Sequence, residues 1–142
     1  MAFEIAGYRA LREQAAVIDL TGRGIIRVTG EDRARLLHAM TTNHIQQLQT
    51  GQSAYAFFLS SQGRVLADVN ILCDADALTL DSEPDTREKI YQHLDHYIIA
   101  DDVTLSDETE KTAVLAIEGP AAMTAAEQVG VVAPLPADTV GE

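Results

Sequence analysis

The sequence predicts an α+β fold with a mainly antiparallel sheet and helices packed on one of its faces. Apolar stretches of strand length occur in adjacent pairs, and helical patterns interrupt them without the strict strand–helix–strand alternation of a parallel sheet. The 142 residues are enough for a hydrophobic core, with 46% hydrophobic and 23% charged residues. We therefore expect one domain over residues 1–142, without internal repeats or low-complexity linkers.

The first third of the chain is predicted to contain two helices and one strand. Residues 4–17 carry apolar side chains at helical spacing. TGRG is a turn that leads into the strand IIRVTG. The helix EDRARLLHAM has acidic residues in its first turn, where the helix dipole favours them, and Leu36, Leu37 and Met40 form its buried edge. The stretch TTNHIQQLQTGQ then predicts a loop.

The remaining elements begin with two strands around SSQGR and a third strand in ALTLDSE. The helix PDTREKIYQHLDHYII follows, with Asp85 as its cap and Glu88 three residues later. Its apolar face is formed by Ile90, Leu94 and Ile98. DDVTLSD and TAVLAIE predict two more strands, and Gly119-Pro120 opens a final helix.

Composition and charge exclude several classes of function. The net charge of −12 repels phosphate backbones, and the basic residues are scattered, which argues against nucleic-acid binding. No apolar run reaches membrane-spanning length, and MAFEIAGYRALREQ carries charges too early for a signal peptide, so we expect a cytoplasmic protein without membrane contact. A single cysteine, Cys73, excludes internal disulfides and predicts a buried, inert thiol.

Other patterns of reactive residues lack the partners that their chemistry requires. His93 and His96 lie three apart on the predicted helix, on its polar side, but no third ligand has matching context, so we expect no metal site. Ser60 and Ser61 lie at a hairpin turn without a nearby base. No glycine-rich phosphate loop is present, because the candidate glycines precede a strand.

Asp68 and Asn70 interrupt an otherwise apolar strand. Because side chains alternate along a strand, one face carries Leu66, Asp68, Asn70 and Leu72, and the other, core-facing side carries Val65, Ala67, Val69, Ile71 and Cys73. Pairing across the Gln62-Gly63 turn places Phe57 opposite Asp68 and Tyr55 opposite Asn70, with Leu59 on the same face.

Two interpretations of this mixed face are open. The pattern alone favours a solvent-exposed face with incidental aromatic residues, since antiparallel sheets often have one wet side. The alternative is the wall of a pocket for a flat, nitrogen-rich molecule. Tyr55 and Phe57 would then provide ring surfaces, and Asp68 and Asn70 would hydrogen-bond to its polar groups.

The order and spacing of several stretches resemble the folate-binding aminomethyltransferase family, whose best-known member is the T-protein of the glycine cleavage system. The resemblance runs from AAVIDLTGRGIIRVTG to TAVLAIEGPAA, and its most specific parts are Thr41 to Asn43, the hairpin from Tyr55 to Asp68, and Gly119-Pro120. It implies the N-terminal portion of a folate-binding domain of the aminomethyltransferase type over residues 1–142, incomplete at its end. It also implies tetrahydrofolate as the ligand, with Asp68 beside its reactive nitrogen and Tyr55 lining the pocket.

Departures from the T-protein pattern bear on the branch of the family. T-proteins carry an acidic pair where this chain has Ala67 and Asp68, and they have a longer segment before VIDL. Both departures look more like the branch that assists iron–sulfur cluster assembly and maintenance, with iron–sulfur client or assembly proteins as partners. The cysteine motif of that branch would fall beyond residue 142.

The leading hypothesis is therefore a folate-binding protein of the iron–sulfur branch. One alternative is an aminomethyltransferase that moves a one-carbon unit to tetrahydrofolate, with Asp68 catalytic. The other is a non-catalytic domain that binds a protein partner.

Overall fold

The computed structural model describes residues 5–131 and 137–138. In chain order the elements are α1 (Ile5–Glu13), β1 (Ala16–Asp19), β2 (Gly24–Thr29), α2 (Arg33–Met40), a 3-10 turn (Ile45–Gln47), β3 (Gln52–Leu59), β4 (Val65–Cys73), β5 (Leu78–Ser82), α3 (Arg87–Tyr97), β6 (Thr104–Asp107), a second 3-10 turn (Thr109–Lys111), β7 (Leu115–Glu118), α4 (Ala122–Gln128) and β8 (Ala137–Asp138). They group into two compact units, one of residues 1–21 and 113–135 and the other of residues 22–112 and 136–142.

The first unit contains α1, α4 and a two-stranded antiparallel sheet of β1 and β7. The register pairs Ala16 with Glu118 and Asp19 with Leu115. Gly119 follows β7 with a φ of +121°, and a Cβ at this position would lie 2.6 Å from the Gln14 carbonyl oxygen. Glycine is therefore required where the chain leaves this sheet, because both the conformation and the space exclude a side chain.

The second unit is built on a six-stranded sheet with the order β6-β2-β5-β4-β3-β8. All neighbours are antiparallel except β3 and β8, which pair in parallel through Gln52 and Ser53. The predicted α+β class with a mainly antiparallel sheet is confirmed.

The core of this unit lies between one face of the sheet and the helices α2 and α3. Leu36 and Leu37 of α2 and Ile90 and Leu94 of α3 pack into a single cluster with the buried strand residues. The strand residues of the cluster are Ile26, Val28, Ala54, Ala56, Phe58, Ala67, Val69, Ile71, Leu78 and Leu80. They recur every second residue along each strand, so one face of the sheet is apolar and covered while the other is free to carry polar groups.

The N-terminal prediction is wrong in its extent. The helix expected over residues 4–17 ends at Glu13, and β1 begins at Ala16; residue 4 lies outside the described residues. The strand was missed because its partner β7 is about a hundred residues away in sequence, and local periodicity carries no information on such a pairing.

Two predicted helix starts also need correction. Asp85 does not cap α3; Thr86 occupies the N-cap position and makes no side-chain capping bond, while Glu88 accepts a hydrogen bond from Gln92. The helix α2 begins at Arg33, so no acidic residue lies in its first turn. The carboxylate of Asp32 instead accepts a hydrogen bond from the backbone N–H of Asp102 at 2.9 Å, fixing the loop before β6.

Candidate functional site

The hairpin of β3 and β4 has the register that the sequence predicts. Tyr55 lies opposite Asn70, and Phe57 lies opposite Asp68. The intervening residues Ala54, Ala56, Ala67 and Val69 are buried in the core. The four predicted site residues therefore share the face of the sheet that points away from α2 and α3.

The turn reaches this register by a different route from the one expected. The connection spans residues 60–64, with the Ser60 N–H donating to the Arg64 carbonyl, and the ladder shifts by one residue between Phe58 and Leu59. This bulge offsets the odd length of the turn. It reverses the alternation before Ala67, so the predicted core position of Val65 is wrong: Val65 is 62% exposed. Leu66 packs against the core instead.

The open face brings an aromatic pair next to a carboxylate. The Tyr55 hydroxyl donates a hydrogen bond to Asp68 Oδ2 at 3.0 Å, and the Tyr55 and Phe57 rings meet edge to face at 5.3 Å. The hydrogen bond to Asp68 raises the pKa of Tyr55, with smaller contributions from desolvation and from the negative charge. Both rings are accessible, Tyr55 with 51% and Phe57 with 37% of its surface exposed, so a flat ligand has free ring surface to contact.

The next strand adds a charged pair that the sequence interpretation missed. Asp81 of β5 lies opposite Asn70, and the guanidinium of Arg23 bonds both Asp81 and Glu83. The same alternation that identified Asp68 would have placed Asp81 on this face. Arg23 compensates the charge of Asp81. The carboxylate of Asp68, beside the aromatic pair, forms no ion pair with a basic side chain among the described residues.

The Thr41–Asn43 segment fixes the outer edge of β3 at the two aromatic residues. Thr42 makes two hydrogen bonds to the backbone of Phe57. Its Oγ1 accepts a hydrogen bond from the Phe57 N–H at 3.0 Å, and its own N–H donates one to the Phe57 carbonyl. The Asn43 side-chain amide donates to the Tyr55 carbonyl at 3.0 Å. This arrangement gives the Thr-Thr-Asn run a physical role: it satisfies backbone groups of β3 beyond the short pairing with β8, and it holds the Tyr55 and Phe57 backbone in place.

The sequence predicted that His93 lies on the polar side of α3, and this prediction is wrong. Its ring contacts Phe58 of the core and Tyr97, and its Nε2 is buried. The spacing of Ile90, His93 and Tyr97 places all three on one stripe of the helix. Over residues 5–131 and 137–138, no group of three or more His, Cys, Asp or Glu side chains is arranged to hold a metal ion. No helix in that part of the chain has the length and apolarity to cross a membrane.

Comparison with known proteins connects this architecture to one family. A family model described as the GCVT N-terminal domain matches residues 2–137. The chain is 33% identical over 121 residues to an aminomethyltransferase of Chlorobium phaeobacteroides, covering 84% of this chain and 33% of that protein. It is 35% identical over 105 residues to an Arabidopsis thaliana protein named as a chloroplastic transferase, covering 73% of this chain and 24% of that protein.

A solved structure shares the fold. The crystal structure of the glycine cleavage system aminomethyltransferase T from Bartonella henselae aligns with a TM-score of 0.78 at 19% identity, over 91% of this chain and 36% of that one. The chain thus spans about a quarter to a third of the length of these curated relatives.

Proposed function

Because this chain belongs to the GCVT N-terminal domain family, we propose that the open face of β3 and β4 binds a reduced folate, with tetrahydrofolate as the ligand. Tyr55 and Phe57 supply ring surface, Asn70 offers both a donor and an acceptor, and Asp68 accepts hydrogen bonds from the amine side of the pterin. The one observation that carries the proposal is the Tyr55–Asp68 hydrogen bond, which orients a carboxylate beside exposed rings.

The activity that fits the relatives best is transfer of an aminomethyl-derived one-carbon unit to tetrahydrofolate. Several relatives are named aminomethyltransferases. In such a reaction Asp68 stabilises the positive charge that develops on the reacting folate nitrogen, since an oriented carboxylate acts without reorganisation. Residues 1–142 are then the N-terminal portion of the folate-binding domain.

A role in iron–sulfur cluster assembly or maintenance is the second candidate, and Ala67 favours it. Where T-proteins carry an acidic pair, this chain has Ala67, which is 4% exposed and packs in the core, followed by Asp68 on the open face. The partners would be iron–sulfur client or assembly proteins.

A non-catalytic role in binding a protein partner is the third candidate, since exposed aromatic residues are also common in protein interfaces. The cytoplasmic location predicted from the sequence stays a prediction, because one relative carries a chloroplastic name.

Calorimetric titration of the protein with tetrahydrofolate tests the proposal. Asp68→Ala should weaken binding by about 1.5–3 kcal/mol, the range for hydrogen bonds to a charged group, which is roughly ten- to a hundred-fold in dissociation constant. Asp68→Asn should cost less, because the amide keeps an acceptor. Asp95→Ala removes the same charge from an exposed position on α3 and should leave the affinity unchanged.

Equal affinity for wild type, Asp68→Asn and Asp68→Ala would contradict the proposed site. If folate binds as expected, an assay for one-carbon transfer from a carrier-bound aminomethyl group separates the two leading candidates. Turnover favours the transferase. Binding without turnover, together with loss of iron–sulfur enzyme activity in cells that lack the protein, favours the assembly role.

A further inference from the structure

The backbone groups of Tyr55 and Phe57 point away from β4, toward the outer edge of β3. Both the N–H and the carbonyl of Phe57 are bonded by Thr42, which lies outside the sheet. Tyr55 is two residues earlier on the same strand, and backbone groups that face one edge of an antiparallel strand recur at every second residue. The hydrogen bonds between β3 and β4 therefore do not hold the two residues whose rings form the candidate site. Groups beyond the outer edge of β3 must hold them instead.

Asn43 holds Tyr55 from this outer edge. Its Nδ2 donates to the Tyr55 carbonyl at 3.0 Å, and its Oδ1 accepts from the backbone N–H of His44 at 2.7 Å. Because one partner can only accept and the other can only donate, the amide of Asn43 has a single orientation. The carbonyl of Asn43 also lies 3.3 Å from Nδ1 of His38 on α2. Asn43 thus connects the end of α2 to the backbone of Tyr55.

The side chain of Tyr55 transmits this restraint to Asp68. Its hydroxyl donates to Asp68 Oδ2 at 3.0 Å, and the ring is 51% exposed, so packing restrains it little. The hydroxyl is at the far end of a long side chain, and a small tilt of the backbone moves it further than the backbone itself. A binding site must keep its groups within about 0.5 Å of the productive geometry. The position of the Tyr55 backbone therefore decides whether the pair with Asp68 is in place for a ligand.

We propose that Asn43 is a positioning residue of the folate site. It fixes the backbone of Tyr55 and, through the Tyr55 side chain, the carboxylate of Asp68, while both ends of its own amide are engaged by backbone groups. The identity of the ligand rests on the proposed function, whereas the effect of Asn43 on the Tyr55–Asp68 pair does not. Two measurements test these two parts separately.

The first measurement needs no ligand. Asn43→Ala and Asn43→Leu both remove the donor to the Tyr55 carbonyl, and leucine keeps the volume. In both variants the late tyrosine deprotonation, followed by absorbance near 295 nm, should move to lower pH, because the bond to Asp68 that raises the pKa of Tyr55 is loosened. Thr109→Val is the structural control. It removes the acceptor for the Ile25 N–H at 3.0 Å on β2, which β5 and β4 separate from β3, and it should destabilise the fold without moving this titration.

The second measurement is calorimetric titration with tetrahydrofolate. Asn43→Ala should weaken binding about three- to tenfold, the loss expected for one hydrogen bond, and Thr109→Val should leave the affinity unchanged. If Asn43 acts through Tyr55, the two substitutions are coupled, so Asn43→Ala should cause no further loss in a Tyr55→Ala background.

Three results would overturn the proposal. One is a tyrosine titration that neither Asn43→Ala nor Asn43→Leu changes. Another is an equal loss of affinity from Asn43→Ala with and without the Tyr55 side chain, since Asn43 would then act elsewhere. The third is unchanged affinity in Asn43→Ala where Asp68→Ala weakens binding. Unchanged affinity in both variants contradicts the proposed folate site instead, and the titration without ligand still decides whether Asn43 positions Tyr55.

Discussion

At the residue scale, the hydrogen bond from Tyr55 to Asp68 gives the candidate site a measurable titration. Because Asp68 stabilises the protonated phenol, the pKa of Tyr55 lies above its ordinary value of about 10. Folding stability linked to this group is therefore complete below pH 10 and is lost as the pH rises through the folded pKa. Absorbance near 295 nm should show a late tyrosine deprotonation that Tyr55→Phe removes and Asp68→Asn moves to lower pH. A titration curve that neither substitution changes would contradict the bond.

His93 should titrate in the opposite sense. Burial disfavours its charged form, so its pKa in the folded protein lies below the ordinary value of about 6.5. The unfolded chain then binds more protons between these two values, and stability falls as the pH decreases through this window. Urea unfolding at a series of pH values should show that the free energy of unfolding falls more steeply toward acid pH for the wild type than for His93→Gln. Parallel curves for the two proteins would show that His93 titrates normally.

At the residue scale, the sequence predicted correctly which face of the sheet a side chain lies on wherever the regular alternation along a strand is unbroken. Alternation along β4 was sufficient to place Asp68 and Asn70 on the open face, and the same alternation would have found Asp81. It failed at Val65, because the bulge before Ala67 reverses the alternation and nothing in the residue types announces it. His93 was assigned by its polarity, although its helical spacing from Ile90 and Tyr97 was the better guide.

At the element scale, the Thr41–Asn43 segment supports the edge of β3. Thr42→Val keeps the branched shape but removes the acceptor for the Phe57 N–H, so the free energy of unfolding should fall by roughly 0.5–1.5 kcal/mol in urea denaturation. Thr104→Val is the matched control, since the hydroxyl of Thr104 makes no hydrogen bond to the described residues. Equal effects of the two substitutions would mean that the Thr42 contact contributes nothing.

The turn between β2 and α2 depends on glycine for reasons of space. Gly30 has a φ of +103°, and an added Cβ would lie 2.0 Å from the Asp102 carbonyl oxygen; Gly51, at +86°, has no atom within 4 Å of such a Cβ. Gly51→Ala should cost about 1–3 kcal/mol from the backbone conformation alone. Gly30→Ala should cost clearly more, because the backbone of the loop before β6 must move. Similar midpoints for the two variants in thermal unfolding would contradict this difference.

At the scale of the whole molecule, most of the architecture was predictable because it rests on local patterns. The hairpin, α2 and α3 each carry their own period, and each was assigned to the right class. The grouping of residues 1–21 with residues 113–135 includes the pairing of two distant strands, β1 and β7. TAVLAIE indicated a strand, but no local pattern indicated β1 as its partner. The open face of β3 and β4 could be located from the sequence, but its ligand was suggested only by the resemblance to a family.

The two units should also differ in their resistance to opening. The second unit has a contiguous core of fifteen buried apolar residues, whereas Ala126 is the one described core residue of the first unit. Val17 and Leu115 in the two-stranded sheet are 67% and 61% exposed, and a sheet of two strands is only marginally stable by itself.

Native-state hydrogen exchange should therefore give the slowest amides in β2, β4 and β5, and amides of β1 and β7 should exchange through local opening of the first unit. Denaturant should accelerate exchange in β4 far more than in β1, because global unfolding exposes more surface than local opening. Equal protection and equal denaturant dependence in β1 and β4 would show instead that both units unfold in one cooperative step.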